Sequence, residues 1–210
     1  MYKLYGYWRS SASWRIRWAL DYKKIPFEYI PINLKTKENL GEEFSKINPS
    51  QKLPYFVNTN EKQGLSQSLA ILNYLEEKHP NPQLQGKTLS EKIKIIELAE
   101  IINADTAPLQ IPSVQAKHSN SPEEKLAWTQ FFIRKGLSSF SKQLPSKKTF
   151  FSVGDTLSWA ELCLIPQLYN AHRYKVKFEE EFPRLNEIYK NCQSLDSFQS
   201  SKPENQKDAV

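Results

Sequence analysis

The chain changes its hydrophobic pattern once, at Pro80-Asn81-Pro82, and that change constrains the fold more than any other feature. Before it, strand-like runs alternate with helical ones. Lys3–Tyr5, Phe27–Pro31 and Leu53–Val57 read as strands, rich in aromatic and β-branched residues. Ser11–Lys23 reads as a helix, with Trp14, Trp18 and Tyr22 at i, i+4 and i+8. Ser68–Lys78 reads as another, with Leu69, Leu72 and Leu75 on one side. Thr36–Asn48 reads as a loop with a short helix, and Asn58–Gly64 as a turn. The expected order is β-α-β-α-β-β-α. The prolines then stop the last helix, and residues 81–87 form a linker.

Everything beyond is helical in pattern. Thr88-x-x-Glu91 is a capping box that opens a helix toward Asp105. Ser121-Pro122-Glu123-Glu124 starts another, with Ser as N-cap and Pro at the first position. Ser158-Trp159-Ala160-Glu161 is a second box, flanked by Leu157 and Leu162 as a hydrophobic staple. Pro166 falls within that helical pattern, where its missing N–H predicts a kink, and Pro183 begins a further helix. Asp155 is expected to stabilise the turn before the box. The polar end, Ser200–Val210, is expected to fray. The expected domains are 1–80, mixed α/β, and 88–210, all-helical.

Hydrophobic residues make up 39% of the 210, enough for a sizeable core, and mean hydropathy is −0.62. No run approaches the roughly 18 apolar residues of a membrane span. The first residues carry no export signal, so the expected location is the cytoplasm. Cys163 and Cys192 match no metal or redox spacing and read as reduced thiols. His118 and His172 read as surface or structural residues, so no metal is expected. The net charge of +6 favours small acidic ligands. The basic residues are dispersed, so nucleic acid is not an expected partner.

Ser10-Ser11-Ala12-Ser13 ends a strand and opens a helix. Hydroxyls and backbone N–H groups meet the positive end of a helix dipole there, which suits an anion such as a thiolate. The plainer reading is an N-cap alone. Gln67 and Ser68 pose the same choice, between a carboxylate site and a cap. Arg15 and Arg17 read as solvated charges on the helix surface.

One segment carries a family resemblance. Arg9-Ser10-Ser11-Ala12-Ser13-Trp14-Arg15-Ile16-Arg17 resembles the signature of the zeta class of cytosolic glutathione transferases. Asn48-Pro49 with Leu53-Pro54, Gln67-Ser68-Leu69-Ala70-Ile71, Ala107-Pro108-Leu109-Gln110, Val153-Gly154-Asp155, Leu162–Gln167 and Asn170-Ala171-His172-Arg173-Tyr174 resemble further segments of that class. The fold implied is a thioredoxin-like βαβαββα domain followed by an all-helical domain. The cofactor implied is glutathione, with Ser10, or else Ser11, holding its sulfur and Ala12 and Arg15 lying in the same segment. Pro54 would be cis and would turn the Leu53 backbone toward the cysteinyl amide. Gln67 and Ser68 would take the γ-glutamyl carboxylate. Gln110 and Arg173 would border a second substrate, an unsaturated diacid or other electrophile, with Arg9 as a further anchor.

The activity implied is cis–trans isomerisation of maleylacetoacetate to fumarylacetoacetate, in aromatic amino-acid catabolism, by reversible thiolate addition. Maleylpyruvate isomerisation, general glutathione conjugation, dehalogenation of small haloacids and a silent interaction module are the alternatives. A homodimer is also implied. The sequence departs from the family pattern at Ala12, where many members carry cysteine, and Lys35–Gly41 does not align cleanly.

Overall fold

A computed structural model describes residues 1–210. By its internal packing the chain forms two compact units, Met1–Pro82 with Leu195–Val210, and Gln83–Ser194.

The first unit is built on a four-stranded sheet of order β2-β1-β3-β4. Its strands are β1 (Tyr2–Gly6), β2 (Phe27–Pro31), β3 (Tyr55–Asn58) and β4 (Gln63–Ser66). β1 pairs parallel with β2 and antiparallel with β3, and β3 pairs antiparallel with β4. The parallel pair requires a crossover, supplied by helix α1 (Ser11–Tyr22). A short helix, α2 (Glu42–Ile47), precedes β3, and α3 (Ser68–Lys78) follows β4. The expected order of elements is therefore present. The core joins Leu4 and Phe56 of the sheet to Ile16 and Leu20 of α1 and Ile71, Leu72 and Leu75 of α3, all fully buried.

Lys23 closes the far end of this unit. Its ammonium has no exposure and meets Glu76 Oε2 at 3.1 Å, the His79 carbonyl at 2.7 Å and the Pro82 carbonyl at 2.6 Å. Two hydrogen bonds to carbonyls and the charge of Glu76 thus compensate the buried ammonium, the condition under which a buried ion pair is tolerated.

Two expectations fail here. Arg15 and Arg17 are not solvated; they are 2% and 1% exposed. Helix α1 is covered by β1, by α3 and by α10 (Asp196–Ser201), so it has no free face at these positions. Ser200–Val210 does not fray either, and Leu195–Val210 belongs with the first unit rather than the helical one. Phe198 sits 5.7 Å from the Trp14 ring and 5.6 Å from the Trp18 ring. The two indole N–H groups donate to Ser201 Oγ and Ser197 Oγ, each at 3.1 Å. Polar residues that look unstructured in sequence satisfy buried tryptophan donors.

The second unit contains α4 (Leu89–Asn103), α5 (Pro112–His118), α6 (Pro122–Lys142), α7 (Trp159–Arg173), α8 (Phe178–Glu181) and α9 (Pro183–Gln193). Both expected capping boxes form, at Thr88/Glu91 and Ser158/Glu161, and Ser121 caps α6. Leu157 and Leu162 are buried as the staple requires. Asp155 accepts the Phe150 N–H at 2.8 Å and closes the preceding turn. Helix α7 runs through Pro166. The expected linker is partly packed: Leu84 and Gln85 are buried, and the Leu84 carbonyl accepts the Trp159 N–H. No helix is long and apolar enough to cross a membrane.

Candidate functional site

In the first unit the candidate residues gather at three chain features. The first is the start of α1. Ser10 is its N-cap, with extended backbone, and its Oγ accepts the Ser13 N–H at 3.2 Å. Capping uses a lone pair of the hydroxyl and leaves its proton available to a further acceptor. The capping and thiolate-holding readings of Ser10 are therefore compatible. Ser11 and Ala12 are the first two helical residues, whose N–H groups lie beyond the reach of intrahelical acceptors. Both are half-buried, so the terminus is accessible.

The second feature is the entry to β3, where the Leu53–Pro54 peptide bond is cis, as the resemblance implies. A second cis bond, Asn81–Pro82, was not foreseen.

The third is the start of α3. Gln67 precedes it with φ 71° and ψ 112°, a conformation that costs a non-glycine residue roughly 1–3 kcal/mol. No side chain caps this helix, so its N-terminal N–H groups remain open to an anion. Ser68, at the first helical position, is buried, and its Oγ accepts Arg15 Nη1 at 3.0 Å. Arg15 therefore ties the start of α3 to α1. Its guanidinium is buried and holds the Ser68 hydroxyl in place. The Ser68 hydroxyl keeps its own proton to donate.

Sequence reasoning missed Arg17. Its guanidinium donates to the Trp8 carbonyl at 2.8 Å, to the Tyr7 carbonyl at 3.4 Å and to the Ser201 carbonyl at 3.2 Å. Only the apolar residues around it, Trp14, Ile16, Trp18, Ala19 and Leu20, could have warned that this charge is buried. Arg9 is half-exposed, with its guanidinium 5.3 Å from the Trp8 ring centroid.

In the second unit, Gln110 is 6% exposed and its amide is used internally. It donates to Gln167 Oε1 at 2.8 Å and to the Thr106 carbonyl at 3.1 Å, and it accepts from Gln167 Nε2 at 3.1 Å. The pair locks the 3₁₀ turn Ala107–Gln110 to α7. Arg173 is exposed in the last turn of α7, where its charge complements the helix dipole, and Nη1 donates to Asn170 Oδ1 at 2.9 Å. His118 and His172 are exposed. Cys163 and Cys192 are buried and form no disulfide, and burial pushes the Cys192 thiol up. Neither is suited to act as a nucleophile.

A thioredoxin-like sheet with a hydroxyl-capped helix start, a cis-proline strand and a strained, uncapped second helix start defines a glutathione-binding domain. Comparison with known proteins agrees. Residues 1–77 match the model for the glutathione S-transferase N-terminal domain, and residues 110–200 match that for the C-terminal domain. Maleylacetoacetate isomerase of Dictyostelium discoideum is 38% identical over 213 residues, covering 98% of this chain and 95% of its own. A solved maleylpyruvate isomerase, a bacterial glutathione S-transferase of the zeta class in its holo form, superposes with a TM-score of 0.94 at 31% identity, covering 99% of this chain and 100% of the other. Maleylacetoacetate isomerase of Anaeromyxobacter dehalogenans 2CP-1, solved with glutathione in its active site, gives 0.91 at 34% identity, with 100% and 98% covered. The chain belongs to the glutathione S-transferase family, in its zeta class.

Proposed function

We propose that this protein uses glutathione to isomerise maleylacetoacetate to fumarylacetoacetate. The observation that carries the reading is the Ser10 hydroxyl, engaged as a cap through its lone pair yet able to donate, at an accessible helix start. When bound, glutathione supplies a thiolate that adds to the cis double bond, frees rotation about it and departs unchanged.

The residues act on that chemistry as follows. Ser10 donates its hydroxyl proton to the sulfur, and the N–H groups of Ser11 and Ala12 add the positive end of α1. Both favour the charged form over a thiol whose ordinary pKa is about 8.5. Leu53 pairs its backbone with the cysteinyl amide. Gln67, Ser68 and the open start of α3 take the γ-glutamyl carboxylate, and Arg15 fixes Ser68 for that task. Arg173 offers a fork-shaped cation for a substrate carboxylate. Gln110 contributes through its pair with Gln167 and not by contact.

Maleylpyruvate is the second reading, favoured by the 0.94 superposition on an isomerase of that substrate. Side-by-side turnover of maleylacetoacetate, maleylpyruvate and a chloroaromatic electrophile tests both. Fastest turnover of maleylacetoacetate supports the first reading, and conjugation without isomerisation contradicts both. We further propose a homodimer in the cytoplasm. Leu89 and Ile93, exposed apolar residues one turn apart on α4, support self-association, and light scattering tests it.

A further inference from the structure

We propose that Asp208 and Arg17 are positioning residues for Ser10, clamping the loop Tyr7–Ser10 through the two peptide groups of Trp8. The inference rests on the reading of Ser10 given above. Asp208 Oδ2 accepts the Trp8 N–H at 2.9 Å, and Arg17 Nη2 donates to the Trp8 carbonyl at 2.8 Å. The loop lies directly before the cap and has few constraints of its own: Ser10 N–H to the Tyr7 carbonyl at 2.9 Å, and Tyr7 N–H to Ser13 Oγ at a long 3.4 Å. Fixing both sides of Trp8 fixes the direction in which the chain enters α1. That direction sets where the Ser10 hydroxyl points.

The clamp is one connected group. Tyr29 donates its hydroxyl to the same Asp208 oxygen at 3.3 Å, and the Arg17 guanidinium lies 5.5 Å from the Tyr29 ring centroid. Burial pushes the Arg17 pKa down, while Tyr29 and Asp208 oppose that shift. Burial also pushes the Tyr29 phenol up, so it stays a donor. The other Asp208 oxygen, Oδ1, is buried without a hydrogen bond. A carboxylate held at such a cost is poorly explained by packing alone.

Anchoring of the carboxy-terminal segment does not need Asp208. Phe198, Ser197 and Ser201 already dock it on Trp14 and Trp18. Asp208 reaches past that anchor to the loop. The clamp can therefore be opened without releasing the segment.

Asp208→Ala, Asp208→Asn and Ser200→Ala test this, the last removing the bond to Asp21 that lies elsewhere on the segment. Amide exchange is read on the ligand-free chain, and kcat and KM for glutathione in the isomerase assay. Asp208→Ala should speed exchange at the hydrogen-bonded amides of Trp8, Ser10 and Ser13 by about tenfold or more and leave the sheet protected. It should lower kcat by about three- to tenfold while KM moves less than about twofold. Asp208→Asn keeps an acceptor for the Trp8 N–H and should restore most of the loss, and Ser200→Ala should match the parent. Unchanged loop exchange in Asp208→Ala overturns the clamp. So does loss of protection across the whole first unit, which would mark a folding defect. A parent chain that does not turn over with glutathione defeats the functional reading alone, because the exchange measurement needs no ligand.

Discussion

Ser10 is assigned two tasks, and substitution should separate them. Its Oγ caps α1 through the 3.2 Å bond to the Ser13 N–H, and Ser10→Ala removes that cap at a cost of about 1 kcal/mol. Asn and Asp are equally good N-caps, so Ser10→Asn and Ser10→Asp should lose almost no stability. The bond to a thiolate is worth more, about 1.5–3 kcal/mol for a hydrogen bond to a charged group. At about 1.4 kcal/mol per unit, Ser10→Ala should raise the pKa of the bound glutathione thiol by about one to two units. Ser10→Asp should raise it further, because a carboxylate about 4 Å from a thiolate repels it by several kcal/mol at an effective dielectric near 20. Two orders result. In urea unfolding, Ala falls below the parent, Asn and Asp; in ultraviolet titration of the bound thiol, Asp is worst and the parent best. An unchanged thiol pKa in Ser10→Ala would refute the reasoning, as would a single order shared by both assays.

Three further outcomes follow from the packing and the caps. Lys23→Met removes the ammonium between Glu76 and two carbonyls and should destabilise the chain by about 3–5 kcal/mol, read as a lower urea midpoint; a loss under about 1 kcal/mol would contradict the buried pairing. Gln67→Gly relieves a positive φ and should stabilise the chain by up to about 2 kcal/mol after glycine's own entropic cost, while glutathione affinity measured by calorimetry falls; a drop in stability would contradict the strain. Glu91 is held below its ordinary 4.5 by the Lys87 and Thr88 N–H groups. Its stabilising contribution is therefore present above that value and disappears as pH falls through the depressed one. Glu91→Gln should flatten the acid limb of the stability curve, and an unchanged limb would contradict this.

Much of the fold is written in local signals. Strand and helix order before Pro80 follows from apolar period, and the starts of α4, α6 and α7 follow from caps that each act over three residues. Ser10 was legible because a cap and an anion site share one geometry. The cis bond at Pro54 was legible only through the family resemblance, since no short-range signal marks it. Long-range burial was not legible. Arg17 resembles any helix-surface arginine until the Ser201 carbonyl, far along the chain, is brought to it. The docking of Asp208 on Trp8 is likewise invisible in a polar terminus. The pairing of Gln110 was hidden for a related reason: its partner, Gln167, lies on another helix.

The most direct test of the account is isomerisation of maleylacetoacetate by the purified chain, measured without glutathione and again at saturating glutathione. Turnover that appears only with the tripeptide, leaves it unconsumed and falls sharply in Ser10→Ala is the predicted result. Turnover at the same rate without it would contradict the central claim, that this chain works by holding a borrowed thiolate.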